Sequence, residues 1–359
     1  MIRKLKRVTS QIVSGANIAT VLTMLLIGFV GHLNPAEHPV LSTLTLTFPF
    51  FLFLNFCFLV FWLFLKPRRV LIPAIGFLIC YVPVRAYFPL NVPHDAPSGS
   101  IKILSYNVMG FASSDFPDSV DNPITGYIIG SKADIVCLQE SYSSAETEPK
   151  IDSMLFRTYP YHHKLQQGYS VDQLTILSKY PILKAERIKY ESLMDMSMAY
   201  ELLVHGDTVL VVNNHLETNG MSAEDKQIFK DIVKGKVDDD SVSEQSGKLY
   251  NKLAIANGKR GPQADAVAKY IKAHRRKYTI VCGDFNIDPL SYAHHVICDG
   301  LTDCYISTAN GPGWSYHRSG MYFRIDHIFC SDAFTPYACK VDNSITASDH
   351  YPIFCWLGR

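Results

Sequence analysis

The sequence predicts an α/β domain carried behind three membrane-spanning helices. Two patterns predict it. Residues 8–90 hold three long apolar stretches almost free of charge, and residues 101–359 alternate short apolar runs with helical segments. The composition agrees. With 359 residues, 48% of them apolar and 19% charged, the chain is no disordered protein and has room for two modest domains or one large one.

The first element is the anchor. A spanning helix needs about 20 apolar residues, because the hydrocarbon core is roughly 30 Å thick and each residue rises about 1.5 Å. Residues 8–36 carry no charge, 44–65 are charge-free and rich in Phe, and 70–90 carry only Arg85 near their end, where it can snorkel. Spans are expected at about 11–31, 44–65 and 70–90. Pro49, Pro73 and Pro83 are tolerated in packed membrane helices. The basic segments RKLKR (3–7) and KPRR (66–69) flank these spans, while the loop at 34–38 has no Lys or Arg. The positive-inside rule then places the N-terminus in the cytoplasm and everything after residue 91 outside it, which is the periplasm if the cell is Gram-negative. Arg85 votes weakly against this orientation, and a cleaved signal peptide is the alternative for the first span. The bilayer is thus the expected partner of residues 11–90. Residues 1–91 form the anchor, NVPHDAPSGS (91–100) includes a linker over 92–100, and a catalytic-type domain occupies 101–359.

Charge is uneven between the parts. Residues 1–97 hold eight cations and two anions, leaving 26 cations against 31 anions in 98–359, a net of −5. That is a poor endowment for gripping a nucleic acid in bulk, although a local basic groove stays possible. The nine cysteines show no C-x-x-C spacing and no zinc-finger pattern. Cys57, Cys80, Cys137, Cys282, Cys330 and Cys355 sit in apolar runs and act as small hydrophobes; Cys298, Cys304 and Cys339 are the ones left for pairing in an oxidising compartment.

Strands are expected at 101–108, 133–140, 174–182, 208–217, 278–286, 323–330 and 348–357, from their length and β-branched content. Helices are expected around 125–132, over 224–255 with a polar loop at 234–247, and over 263–274. The stretch 153–170 offers Phe and Tyr for an aromatic rim, or more simply a loop packed on the sheet. Polar residues collect at the ends of the apolar runs: Asn107, Glu140, Asn213–Asn214–His215, Asp284, Asn286, Asp326, Asp349 and His350. Each alone reads as a turn former or a satisfied histidine. Together they put carboxylates, amides and imidazoles on exposed strand tips, where rigid elements hold reactive groups. Oxygen donors without thiolates point to Mg²⁺ or Mn²⁺. No G-x-S-x-G elbow or Walker loop is present. What remains is metal-assisted attack of water on an electrophile.

SYNV with Asn107, LQE with Glu140, NNHLE with His215, GDFN with Asp284 and Asn286, RIDHIF with Asp326, and SDHYPI with Asp349–His350 occur in one order. In that order they resemble the endonuclease/exonuclease/phosphatase superfamily, of deoxyribonuclease-I-like fold, over about residues 101–359. ILSKYPI and KRGPQA (259–264) resemble minor features of the same family. The resemblance implies a four-layer sandwich, two mixed β-sheets face to face with helices outside. It implies Glu140 as the main Mg²⁺ ligand, helped by Asn107, with Asp349 near the metal. Asp284 would orient and activate water beside Asn286. His215 and His350 would bind the scissile phosphate, and Asp326 would hold His350. Two departures stand out: Met109 sits where the abasic-site endonuclease branch carries an acid, and Asn214 replaces the usual Thr.

The reading that follows is a membrane-anchored, Mg²⁺-dependent hydrolase of phosphomono- or phosphodiesters, with a lipid or small phosphoester as substrate. An extracytoplasmic nuclease is the alternative. A catalytically dead binding protein is the second alternative, which loss of Glu140, Asp284 or His350 would have signalled; all three are present. The substrate-binding residues and any protein partner are not legible.

Overall fold

The computed structural model describes residues 2–112, 122–166, 172–234, 236 and 239–359. The N-terminal helices are α1 (Ile2–Phe29), the short α2 (Pro39–Ser42), α3 (Phe48–Leu65), α4 (Leu71–Ile79) and α5 (Tyr81–Tyr87). Two apolar helices, over Lys4–His32 and Pro39–Leu65, are long enough to cross a membrane. The third expected span is instead broken, with a bend of 73° between Pro67–Ile79 and Tyr81–Tyr87. Pro83 explains the break, since it offers no N–H to the carbonyl of Ile79, four residues back, where α4 ends. Inside the bundle, polar groups satisfy one another. Asn17 donates to Asn55 Oδ1 (3.3 Å), Trp62 Nε1 donates to Asn17 Oδ1 (3.2 Å), and Asn55 Nδ2 donates to the carbonyl of Pro73 (3.1 Å). Buried amides of this kind join apolar helices that have little other reason to choose one register.

The remaining chain runs β1 (Ile101–Asn107), α6 (Pro123–Gly130), β2 (Ile135–Gln139), α7 (Glu148–Thr158), β3 (Tyr161–Gln166), β4 (Gln173–Ser178), β5 (Ile182–Ile188), β6 (Met196–Val204) and β7 (Asp207–His215). It continues with α8 (Ala223–Val233), α9 (Asp239–His274), β8 (Tyr278–Asp284), α10 (Tyr292–Ile297), β9 (Thr302–Asp303), α11 (Cys304–Thr308), β10 (Asp326–Cys330), β11 (Thr335–Val341) and β12 (Ile353–Gly358). The strands form two six-stranded sheets, ordered β11-β12-β1-β2-β4-β3 and β5-β6-β7-β8-β10-β9. Both are mixed. Each has one parallel pair at its centre, β1 with β2 and β7 with β8, and antiparallel neighbours elsewhere.

Strands buried on both faces explain the near-continuous apolar runs. Ile103, Ile135, Cys137, Ile176, Val211, Ile280 and Ile353 pack between the sheets. The opposite sides of β1 and β2, through Leu104, Val136 and Leu138, meet Ile124 and Ile128 of α6 and Ile151 and Leu155 of α7. On the outer side of the second sheet, Leu210, Val212 and Phe329 meet Val267 and Ile271 of α9 and Ile297 of α10. The expected sandwich of two mixed sheets flanked by helices is what forms.

Three local expectations change. Residues 239–247 belong to α9 and are no loop, while 235, 237 and 238 lie outside the described residues. The helix also runs through Pro262 without ending. Long amphipathic contact overrides one lost donor, because packing supplies most of a helix's stability. The stretch 153–170 is the end of α7 followed by β3, with Leu155 and Tyr159 buried and Phe156 stacked on His162 at 3.5 Å; residues 167–170 lie outside the described residues. All nine cysteines are free, including Cys298, Cys304 and Cys339.

The N-terminal helices are docked against the sandwich. Thr45 donates to Asp288 Oδ2 (2.7 Å, buried), and Asn257 Nδ2 of α9 donates to Ser42 Oγ (2.9 Å) and Thr43 Oγ1 (3.1 Å). Arg324 donates to the carbonyl of Ala86, and Asn91 Nδ2 donates to that of Ile306 (3.0 Å). Closest of all is Gly31. A Cβ there would lie 1.7 Å from the carbonyl oxygen of Leu290, so only glycine fits. Replacing Gly31 by Val is expected to cost about 1–3 kcal/mol through overpacking. Thermal unfolding of the full chain in detergent checks this; a variant as stable as the parent would mean that the helix end does not sit on Leu290.

Candidate active site

Register brings the site together. Across the second sheet, His215 at the end of β7 pairs with Asp284 at the end of β8, and Asp284 pairs with Asp326 at the start of β10. In the first sheet Asn107 ends β1 and Glu140 follows β2 directly. The C-terminal tips of the two parallel pairs therefore face each other at one edge of the sandwich, the end of a parallel sheet where ligands bind. The glycine of GDFN allows this approach: Gly283 has φ +135°, and a Cβ there would lie 2.0 Å from the Asn214 carbonyl oxygen. Glu140 (φ 49°) and Asn286 (φ 55°) both take left-handed backbone, which turns the chain sharply just past each strand.

The side chains form one network. Asn107 Nδ2 donates to Glu140 Oε1 (3.0 Å) and to Asp284 Oδ2 (3.1 Å), while its Oδ1 accepts from the N–H of Met109 (3.1 Å). Asp284 Oδ1 accepts from the Asn286 N–H (2.8 Å). Its Oδ2 lies 3.8 Å from His215 Nε2 and 3.6 Å from His350 Nε2. His350 Nδ1 is bonded to Asp326 Oδ2 (2.8 Å), and His215 Nδ1 to Asp172 Oδ1 (3.0 Å), with Asp195 Oδ1 at 3.8 Å. Both imidazoles thus have a carboxylate behind them and aim Nε2 at Asp284. Asn286 turns its amide to the carbonyl of Leu216 (3.0 Å). Asp349 and Asn286 line the same recess as Glu140, Asp284 and His350. Five of the eight residues expected from sequence, Glu140, Asp284, Asn286, Asp349 and His350, line the recess; Asn107 and His215 lie against Glu140 and Asp284, and Asp326 stands behind His350.

Burial and charge set the protonation states. Burial opposes a charge on His350, but Asp326 and then Asp284 outweigh it and raise its pKa to about 10. His215 is likewise pushed down by burial and carried well above its ordinary value by Asp172 and Asp195. Burial raises Asp284 to about 6, with Asp326 adding to the rise and both imidazoles opposing it. A carboxylate poised there suits a general base, and cationic imidazoles suit a phosphate.

Two partners of His215 escaped sequence reasoning. Asp172 and Asp195 precede β4 and β6, which run antiparallel to β2 and β7. The start of an antiparallel strand lies at the same edge as its neighbour's end, so acids just before those apolar runs were the available signal. Lys226 and Tyr316, which also line the recess, lie in a helix and a loop and carried none. KRGPQA proves to be a clamp. Arg260 Nε donates to the Glu217 carbonyl (2.7 Å) and Gln263 Oε1 accepts from the Glu217 N–H (2.8 Å), holding the loop that follows His215.

The donor set fits a hard divalent cation. Glu140 is partly open to the recess, no cysteine lines it, and the buried Nε2 of His215 has no hydrogen-bond partner although it lies 3.8 Å from Glu140 Oε1. Among the described residues, Asp284 with Asp326 and His350, and Asp172 with Asp195 and His215, are close enough to share an ion. Their Nδ1–carboxylate bonds instead mark them as imidazole-orienting pairs.

Residues 104–350 match the family described as Endonuclease/Exonuclease/phosphatase family. The chain belongs to that family. This endonuclease/exonuclease/phosphatase protein also matches, over residues 10–87, a domain of unknown function (DUF8431). Among solved structures, an endonuclease/exonuclease/phosphatase from Bacteroides vulgatus shares its fold at a TM-score of 0.52 and 15% identity, covering 73% of this chain and 99% of the other. A humanized D. rerio TDP2 does so at 0.50 and 17%, covering 73% and 100%. Sphingomyelinase C from Streptomyces griseocarneus gives 0.49 and 16%, covering 73% and 100%. No curated protein matches the sequence. Family membership makes the chain a hydrolase of ester bonds, a metal-dependent phosphoesterase or nuclease.

The His350–Asp326 pair yields a pH test. His350 keeps its proton through neutrality and loses it as pH rises through about 10, so any stability its charge provides is full below about 6.5 and fades above that. Asp326→Asn removes the largest stabiliser of that proton. The alkaline limb of kcat/KM should move to lower pH and the rate should fall by about 10²–10⁴-fold. An unchanged alkaline limb, measured across a pH series, would reject the pairing.

Proposed function

We propose that the chain is a membrane-anchored, Mg²⁺-dependent phosphoesterase that hydrolyses a small or lipid phosphoester outside the cytoplasm. The single observation that supports it most is Asp284 held between two imidazoles and joined to Glu140 through the amide of Asn107. Glu140 would be the main ligand of the cation, with Asn107 and Asp349 beside it. A bound Mg²⁺ would supply a positive centre to hold the substrate oxygen and offset developing charge.

The chain's own groups do the rest. Asp284, raised by burial, takes the proton of the attacking water, and its other oxygen is kept in place by the N–H of Asn286. His215 and His350 present Nε2–H to the phosphate oxygens, each kept charged by the carboxylate on its Nδ1. As the water oxygen bonds to phosphorus, the P–O bond to the leaving group breaks and the departing oxygen takes a proton from one of these imidazoles. Two fixed cations aimed at a pentacovalent phosphate lower its energy without reorganising at the moment of reaction. Asp326 and Asp172 act by holding those rings.

Orientation and domain limits belong to the same proposal: an anchor over 1–91, a linker over 92–100 and a catalytic domain over 101–359. The loop between α1 and α3 and the end of α5 both touch the sandwich, while Lys66 bonds to Ser10 (2.8 Å) at the other end of the bundle. This supports a cytoplasmic basic end and an external catalytic end. A nuclease is the second reading. The fold is shared with D. rerio TDP2, solved in complex with single strand DNA product at a TM-score of 0.50 and 17% identity. Against it, Lys226 is the one lysine or arginine among the described residues lining the recess.

Full-length protein should be assayed on phosphomonoesters, phospholipids, single-stranded DNA and plasmid DNA, with Mg²⁺ and with chelator. Turnover of phospholipid or small phosphoester that chelator abolishes and Mg²⁺ restores is expected. DNA cleavage alone would move the assignment to the nuclease. Asp284→Asn should lower kcat by about 10²–10⁴-fold with little change in the unfolding temperature; full turnover by that variant would remove Asp284 from its role.

A further inference from the structure

The recess that holds the catalytic groups is lined by two unlike sets of side chains, one half of the lining polar and the other apolar. One half presents Glu140, Asp284, Asn286, Asp349 and His350. The other, within the same volume of about 290 Å³, is walled by Leu46, Met221, Phe229, Leu249, Leu253 and Phe323. Its sources are unusual. Phe229 comes from α8, Leu249 and Leu253 from the first part of α9, and Leu46 from the anchor.

Each wall element is held in position. Leu46 follows Thr45, whose hydroxyl bonds to Asp288 only four residues beyond Asp284. The α9 segment is tied to the anchor by Tyr250 Oη to the Val40 carbonyl (2.6 Å) and by Asn257 to Ser42 and Thr43. α8 starts with a full capping box, Ser222 with Asp225, and Lys252 of α9 reaches Asp225. The apolar wall is therefore a built surface continuous with the catalytic half.

Water gains nothing from half-buried Leu, Met and Phe beside a reaction that needs only a phosphate and a water molecule. Nucleic acid suits the wall poorly as well. A strand needs cations along its backbone, and Lys226, which lies over the Tyr316 ring at 5.5 Å, is the single one here. A substrate with one phosphate and a hydrocarbon tail satisfies both halves at once. Leu46, just before the apolar helix α3, brings the N-terminal segment into this wall.

We propose that this half of the recess is a subsite for the hydrocarbon chain of an amphiphilic phosphodiester, with Leu46 of the anchor as part of its wall. The inference rests on the phosphoesterase reading above and names the substrate class of that site.

The test uses full-length protein in nanodiscs with Mg²⁺ and a series of alkyl 4-nitrophenyl phosphodiesters, from methyl to octyl, below their critical micelle concentrations. Release of 4-nitrophenolate gives kcat/KM for each chain length. For the parent protein kcat/KM should rise by about tenfold or more from methyl to octyl, chiefly through KM, as buried methylenes add up. Leu253→Asn and, separately, Leu46→Asn should flatten that dependence to within about twofold. Thermal unfolding of both variants confirms that they are folded, and the folded variant decides the matter should the other fail to fold.

Equal kcat/KM for methyl and octyl in the parent, with clear turnover of both, overturns the subsite and leaves the phosphoesterase intact. So does a rise that both folded variants retain, which marks partition into the nanodisc. Absence of turnover on every member, beside cleavage of single-stranded DNA, overturns the phosphoesterase reading and the subsite with it.

Discussion

The amide of Asn107 is where the two halves of the sandwich become one site. It leaves β1 in the first sheet, holds Glu140 from the neighbouring strand at 3.0 Å, and reaches Asp284 of the second sheet at 3.1 Å. An N–H···O bond commonly holds its donor and acceptor about 2.7–3.2 Å apart. The two sheets are therefore held to a narrow separation at this edge. One residue deeper, Gln139 Nε2 donates to Asn213 Oδ1 across the same gap (2.7 Å) and Asn213 donates back to the Leu138 carbonyl (3.1 Å). Below these two bridges the interior is apolar.

Such a cluster is costly to bury. Asp284, Asp326, Asp172, Asp195, His215 and His350 are all nearly inaccessible, and unpaired charges in that setting would destabilise the fold. The arrangement avoids this by pairing acids with imidazoles in two similar units, one on each side of Asp284. Asp195 shows what remains unbalanced: burial, with Asp172 and Glu217 nearby, lifts it to about 7 against the pull of His215. A polar interior of this density is better explained by chemistry than by stability.

The loop after β8 links that chemistry to the anchor. Within residues 284–290 it carries Asp284 and Asn286 into the recess, Asp288 onto Thr45, and Leu290 onto Gly31. The N-terminal helices and the Asp284 carboxylate are thus joined through one short, tightly packed stretch. Displacement of α1 or of the loop before α3 would be felt at Asp284. The N-terminal helices are accordingly part of the construction of the site.

Much of this was legible in the residues. Strand tips carry their chemistry locally, so the order SYNV, LQE, NNHLE, GDFN, RIDHIF and SDHYPI specified the family and gathered Asn107, Glu140, His215, Asp284, Asp326 and His350, all of which converge. Apolar length likewise announced the long helices α1 and α3. The bend after Ile79, the passage of α9 through Pro262 and the pairing of Asp172 with His215 were decided by packing between segments far apart in the chain. The same holds for the apolar wall assembled from Leu46, Phe229 and Leu253, whose spacing along the chain carries no pattern. Local chemistry and periodicity are written into neighbouring residues, whereas the surface a substrate meets is made from the ends and sides of elements that only tertiary packing brings together.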